Sequence, residues 1–171
     1  MADIGCNDGV YSFESLKCGC KYVVGFDHDL NAVNKAFLKA RQKNSSFLPL
    51  FFDASNPSAN LGWCENERSG FKKRINFDGM LALAFEHHLT ISKNIPLDST
   101  IDWLTNIAPK GLIEFVPKND KNVQSMMLLK GDIFPDYSEE KFKHYLEKKA
   151  KIVATDNLGD SGRKIYEYSK I

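Results

Sequence analysis

Asp3-Ile4-Gly5-Cys6-Asn7-Asp8-Gly9 stands almost at the start of a chain of 171 residues, and the rest of the sequence is ordered around it. A short apolar lead runs into a Gly-x-Asn-x-Gly turn, which opens into Val10 to Cys18, where Val10, Phe13 and Leu16 share one helical face. The pattern is strand, tight turn, helix. A second strand, Tyr22-Val23-Val24-Gly25-Phe26, ends in Asp27, about twenty residues after the first glycine, the separation at which a carboxylate reaches a ribose hydroxyl in a nucleotide-binding βαβ unit. Glycines let the backbone approach a ligand closely, and the carboxylate holds the sugar.

Asp3 to Gly9 resembles the first motif of class I S-adenosylmethionine-dependent methyltransferases, an acidic residue followed by x-Gly-x-Gly-x-Gly, with Asn7 in place of the middle glycine. It departs from the dinucleotide fingerprint Gly-x-Gly-x-x-Gly, because the last glycine comes one residue early. That spacing serves a pyrophosphate at a helix N-terminus, and S-adenosylmethionine carries no phosphate. The resemblance implies that Asp3, Gly5, Cys6, Asn7 and Gly9 line the cofactor and that Asp27 and His28 meet its ribose. Members of the family usually carry N-terminal segments that cover the substrate, whereas here Met1-Ala2 runs directly into the motif. Either a longer protein supplies the cover or another subunit or ligand does.

Downstream, Asp29 is placed to cap a helix from Leu30 to about Gln42, with Leu30, Val33, Ala36, Phe37 and Ala40 as its apolar stripe. Phe47 to Phe52 reads as a third strand, apolar enough to be covered on both faces, and Pro49 assigns it to a sheet edge. The resemblance makes Asp53 the acceptor for an adenine amino group and Ala54 a backbone contact to the ring; an Asx turn is the structural alternative for Asp53. Residues 55–76 are irregular. Arg68, Lys72, Lys73 and Arg74 there read as a solvated face, with an RNA-binding strip as the rival, in a charged run from Glu65 that suits a short exposed helix. Phe77 to Ala84 is the fourth strand, followed by Phe85-Glu86-His87-His88-Leu89, which is similar to the Leu-His-His-Leu of many small-molecule methyltransferases. Ligands sit at the carboxyl ends of strands in open α/β sheets. Leu83, Ala84 and Phe85 are therefore assigned to the methionine side of the cofactor, and Glu86, His87 and His88 to the border of the acceptor site.

A helix at about Ser99 to Ala108, a fifth strand from Leu112 to Val116, an Asp120-capped helix and a Ser138-capped helix come next, with Tyr137 placed to staple onto Phe142. Lys151 to Thr155 and Arg163 to Tyr168 are two strands joined by too few residues for a parallel crossover, so they pair antiparallel. A mostly parallel sheet with an antiparallel C-terminal strand and helices on both faces is the class I methyltransferase arrangement, and the likeness spans the chain as a single domain of 171 residues. Glu114 to Lys118 and Phe134 to Tyr137 are similar to segments of nodulation-associated methyltransferase-like proteins.

Composition narrows the function classes. With 23 basic against 22 acidic side chains and a formal charge of +1, no global field draws the chain to nucleic acid or anionic membrane. No apolar run approaches the roughly twenty residues that span a bilayer, so a cytoplasmic protein is the default. Cys6, Cys18, Cys20 and Cys64 have neither a metal nor a disulfide spacing, and Glu86 and Glu114 lack the spacing of a magnesium site, so no metal is expected. Methyl transfer from a sulfonium needs donor and acceptor held in line, and a general base only where the nucleophile keeps its proton. His87 and His88 are the candidates for that base; on a helix they point about 100° apart, so one at most faces the site. The expectation is methyl transfer to an oxygen or nitrogen of a small polar acceptor. The rivals are a domain that binds the cofactor without turnover, as a scaffold or partner subunit, and an NAD-dependent reductase. Oligomerisation is left open.

Overall fold

The computed structural model describes residues 1–128 and 130–170. Their seven strands form a mixed sheet in the order β3-β2-β1-β4-β5-β7-β6, and the chain divides into two compact units, Met1–Asp78 and Gly79–Ile171.

In the first unit, β1 (Ala2–Ile4), β2 (Val23–Asp27) and β3 (Phe47–Phe51) run parallel, with Asp3 opposite Gly25 and Gly25 opposite Pro49. Parallel pairing puts the residues that follow each strand on one edge: the Gly5–Gly9 turn, Asp27 with His28, and Asp53. The crossovers are α1 (Val10–Lys17) and α2 (Leu30–Gln42), and α2 starts where Asp29 accepts from the amides of Asn31 and Ala32. The buried face of α2 is Ala32, Ala36 and Ala40, while Leu30 and Phe37 are exposed. The stripe is thus rotated from the expected one, since small side chains at i, i+4 and i+8 let the helix lie close to the strands. In α1, Phe13 is buried beside Ser12, and Val10 faces solvent. Phe13, Cys6, Val23, Ala36, Ala40 and Phe47 form one core cluster; Phe26, Phe52, Phe71 and Phe77 form a second, aromatic one.

Strand β3 lies at the edge, as Pro49 indicates, but only one of its faces is covered. Phe47 and Pro49 are buried, whereas Leu48, Leu50 and Phe51 are exposed. The charged run after it is interrupted by Gly70 and yields a 3₁₀ turn at Trp63–Glu65 and a short helix, α3 (Phe71–Arg74), rather than one helix. Lys72, Lys73 and Arg74 are exposed, and Arg74 donates to Ser58 Oγ at 3.0 Å.

In the second unit, β4 (Met80–Ala82) is shorter than expected, because Ala84 leaves extended geometry at φ +48°. It pairs parallel with β5 (Lys110–Phe115), and β7 (Lys164–Ser169) pairs antiparallel with both β5 and β6 (Lys151–Asn157). Helix α4 (Leu97–Thr105) starts directly after Pro96, two residues ahead of the expected start. Helices α5 (Lys121–Met127) and α6 (Glu139–Glu147) carry their expected caps: Asp120 accepts from Asn122 N–H and Ser138 from Lys141 N–H. Tyr137 and Phe142 meet through Phe115, whose ring centroid is 5.5 Å from one and 5.3 Å from the other. Ile101, Leu104, Ile113, Leu146 and Tyr166 complete the buried set. Among the described residues, no helix is long and apolar enough to cross a membrane.

Candidate functional site

The turn after β1 is held by its own backbone. Gly5 and Gly9 both have positive φ, +78° and +88°, and Asn7 joins them at +48°. The amides of Gly5 and Cys6 both donate to Phe26 O, at 2.8 and 3.2 Å, and Gly9 N–H closes the turn onto Cys6 O at 2.9 Å. A Cβ on Gly9 would overlap the Phe47 ring. Glycine there serves the start of α1 and the core. Gly9→Ala should therefore cost about 2–4 kcal/mol of stability, a left-handed conformation and an overpacked core combined; the urea midpoint measures it.

Asp27 is the hub of the site. Its Oδ2 accepts from Asn7 N–H at 2.8 Å and its Oδ1 from Asp29 N–H at 2.9 Å, so one carboxylate ties the glycine turn to the start of α2. Its side chain is 11% exposed. His28, on the surface, brings Nδ1 to 3.7 Å from Asp27 Oδ1. Asn7 Oδ1 accepts from Asp8 N–H at 2.8 Å, and Lys39 from α2 holds Asp8 Oδ2 at 2.6 Å. Asp53 Oδ1 accepts from both the amide and the hydroxyl of Ser55, the Asx-type arrangement that was its structural alternative, and Phe52 N–H donates to Asp27 O at 2.8 Å.

Two expected contacts are turned inward. Asp3 is 2% exposed and accepts from Ser12 Oγ at 2.6 Å. Burial, with the charge of Asp27 adding to it and the Ser12 bond opposing, raises its pKa to about 6. Cys6 directs Sγ into the core cluster, where burial pushes the thiol up, so its exposure to a ligand is through the backbone alone.

In the second unit, Leu83 and Ala84 follow β4 and are partly exposed. Ala84 N–H donates to Glu114 Oε2 at 2.8 Å, and Arg163 Nη1 donates to Glu114 Oε1 at 3.1 Å and, through Nε, to Asp120 Oδ2 at 2.8 Å. Glu114 is thus a partnered buried carboxylate. Glu86 is fully buried; its Oε1 accepts from Val116 N–H at 3.2 Å and lies 2.7 Å from Tyr137 Oη, which is itself 2.6 Å from Val116 O. A carbonyl only accepts, so the single phenolic proton of Tyr137 goes to Val116 and the proton of the Glu86–Tyr137 bond comes from Glu86. Burial acts the same way, raising the Glu86 pKa to about 8. Tyr137→Phe should cost about 1–3 kcal/mol by stripping Glu86 and Val116 O of a buried partner, read from thermal unfolding.

His87 is 1% exposed and its pKa falls to about 3, through burial first and then the neighbouring His88 and Arg163. It is neutral at physiological pH and a poor proton acceptor, while His88, its ring 4.4 Å away, is exposed. Glu86 Oε2 and His87 Nδ1 have no hydrogen-bond partner among the described residues. No group of three or more His, Cys, Asp or Glu among the described residues is placed to hold a metal ion. Sequence reasoning missed Ser12, Lys39 and Arg163, whose partners lie 9, 31 and 49 residues away.

No protein-family model matches the chain. It is 46% identical over 170 residues to nodulation protein NoeA of Rhizobium meliloti (strain 1021), and the match takes in 99% of this chain and 36% of that protein. The chain therefore spans about a third of the length of that relative. Among solved structures it is similar to magnesium protoporphyrin IX methyltransferase ChlM from Synechocystis PCC 6803 with bound SAH, at TM-score 0.64 and 19% identity over 99% of this chain and 73% of that one. It is also similar to N-methyltransferase NodS from Bradyrhizobium japonicum WM9, at TM-score 0.63 and 12% identity over 99% of this chain and 84% of that one. The fold is that of the class I methyltransferases.

Proposed function

We propose that this chain binds S-adenosylmethionine and transfers its methyl group to an oxygen or nitrogen of a small polar acceptor, the 171 residues acting as one catalytic module. The observation that carries the reading is the Asp27 clamp: a carboxylate fixed by two backbone amides beside the glycine turn, with lone pairs left for a ribose diol. Asp53, one strand over, is the acceptor for the adenine amino group, and the amide of Ala54 meets the ring. Leu83 and Ala84 meet the methionine end. When bound, the cofactor supplies an electrophilic methyl on sulfur; the chain's residues bind, orient and exclude water. His88 is the exposed imidazole that would take a proton from the acceptor, with His87 beside it in the interior.

Binding without turnover is the second reading. It is favoured by the low basicity of His87 and the neutral state of Glu86, which take two of the three titratable groups after β4 out of base catalysis. Titration calorimetry with S-adenosylhomocysteine tests the cofactor, and transfer of label from S-adenosylmethionine into a pool of small hydroxyl and amine compounds tests turnover. Cofactor binding with no transfer selects the second reading; no binding defeats both. In a thermal melt, ligand at a hundred times its dissociation constant should stabilise the protein by about 2.7 kcal/mol.

A further inference from the structure

Trp63 is exposed at a turn tip, Glu86 Oε2 and His87 Nδ1 have no hydrogen-bond partner among the described residues, and an ion network stands behind Ala84. Ala84 is a non-glycine residue in the left-handed region, at φ +48°, a conformation that persists only when its surroundings hold it. What holds it is Glu114, 5% exposed, which reaches from β5 to accept the Ala84 amide. Glu114 is in turn divided between two tasks, one oxygen for Ala84 and the other for Arg163. Arg163 comes from just before β7 and is held in place by Asp120, the cap of α5. The ion pair raises the pKa of Arg163 and lowers that of Asp120, so the cation and its anchor stay charged.

We infer that Arg163 and Glu114 are positioning residues for the methionine end of the cofactor, acting through the amide of Ala84 at the turn after β4. The inference rests on the cofactor reading above and adds to it a dependence on the C-terminal hairpin. Without the guanidinium, the carboxylate of Glu114 is free to rotate away from Ala84, and the strained turn relaxes. An amide at position 114 cannot serve both donors, since its nitrogen opposes either Ala84 N–H or Arg163.

The experiment compares two ligands that share an adenosine and differ in the amino acid: S-adenosylhomocysteine and 5′-methylthioadenosine. Their dissociation constants are measured by calorimetry at a temperature where each variant is folded by near-ultraviolet circular dichroism. Arg163→Ala and Glu114→Gln should each weaken S-adenosylhomocysteine about tenfold, the loss of one charge-assisted hydrogen bond, and leave 5′-methylthioadenosine within about twofold. Arg163→Lys should restore part of the difference. Leu146→Ala, which removes buried packing in α6 away from the network, should lower stability and change neither constant. Should Arg163→Ala fail to fold, the isosteric Glu114→Gln carries the test. Equal weakening of both ligands, no weakening, or the same pattern in Leu146→Ala would overturn the positioning role. Wild-type protein that binds neither ligand would overturn the cofactor reading, and this inference with it.

Discussion

Asp27→Ala is expected to lower both stability and affinity for S-adenosylhomocysteine, the affinity by a hundredfold or more. Asp27 holds two amides, those of Asn7 and Asp29, each at under 3 Å. Hydrogen bonds to a charged group contribute about 1.5–3 kcal/mol each, so losing both costs about 3–5 kcal/mol of folding stability. The affinity falls for two reasons. The ribose loses its acceptor, and the glycine turn loses the tie that sets its shape. Asp27→Asn separates these, because its single oxygen retains one amide while its nitrogen faces the other; it should keep more of the stability than alanine does and still lose ribose recognition. Denaturant unfolding and calorimetry at low temperature measure the two losses independently. A stability loss with unchanged affinity would make Asp27 a structural clamp alone. Gly5→Val is expected to lose binding as well, but with a stability cost, since a β-branched residue is strained at φ +78°.

The second large effect is a stability that falls as pH rises above about 6.5. Glu86 is fully buried, with its pKa raised from 4.5 to about 8. A group whose folded pKa lies above its unfolded value stabilises the native state fully below the unfolded pKa, and that contribution is lost as pH rises through the folded one. For Glu86 the window runs from pH 4.5 to about 8, and the change over it is on the order of 3–5 kcal/mol. Asp3 adds a smaller loss between pH 3.8 and about 6. Two groups act in the opposite sense: burial lowers the His87 pKa from 6.5 to about 3 and Arg163 holds that of Asp120 below its ordinary value, so their contributions are lost as pH falls, and His87 offsets Glu86 below pH 6.5. Together these place the stability maximum on the mildly acid side. Glu86→Gln, isosteric and uncharged at every pH, should flatten the alkaline limb and raise the urea midpoint at pH 8 above that of the wild type. A wild-type midpoint that is level from pH 6.5 to 8 would contradict a buried neutral Glu86.

Local signals carried much of the architecture. The glycine turn, the Asp29 cap of α2, the edge position of β3 and the antiparallel final strands all rest on residues within one element or its flanks. What sequence reading lost was orientation and long-range partnership. Leu30 and Phe37 satisfied the helical period, yet the buried face of α2 consists of alanines, because close approach to a sheet favours small side chains over large ones. Glu86 and Tyr137 stand 51 residues apart, and Glu114 and Arg163 49 apart, so no periodicity joins them. One clue was available: two carboxylates, Glu86 and Glu114, beside apolar strand ends, each needing a partner somewhere in the chain. Along the edge after β1, β2 and β3, Asp3, Cys6 and Gly9 serve the interior with their side chains or their lack of one, while Asp27 keeps partial exposure.

The edge formed by the ends of β1, β2 and β3 is proposed to hold S-adenosylmethionine, and calorimetric titration of the wild-type chain with S-adenosylhomocysteine, with NAD as the competing titrant, tests that binding. A saturable one-to-one isotherm is expected with S-adenosylhomocysteine, vanishing in Asp27→Ala, with no heat of binding from NAD. Saturation with NAD and none with S-adenosylhomocysteine would contradict it.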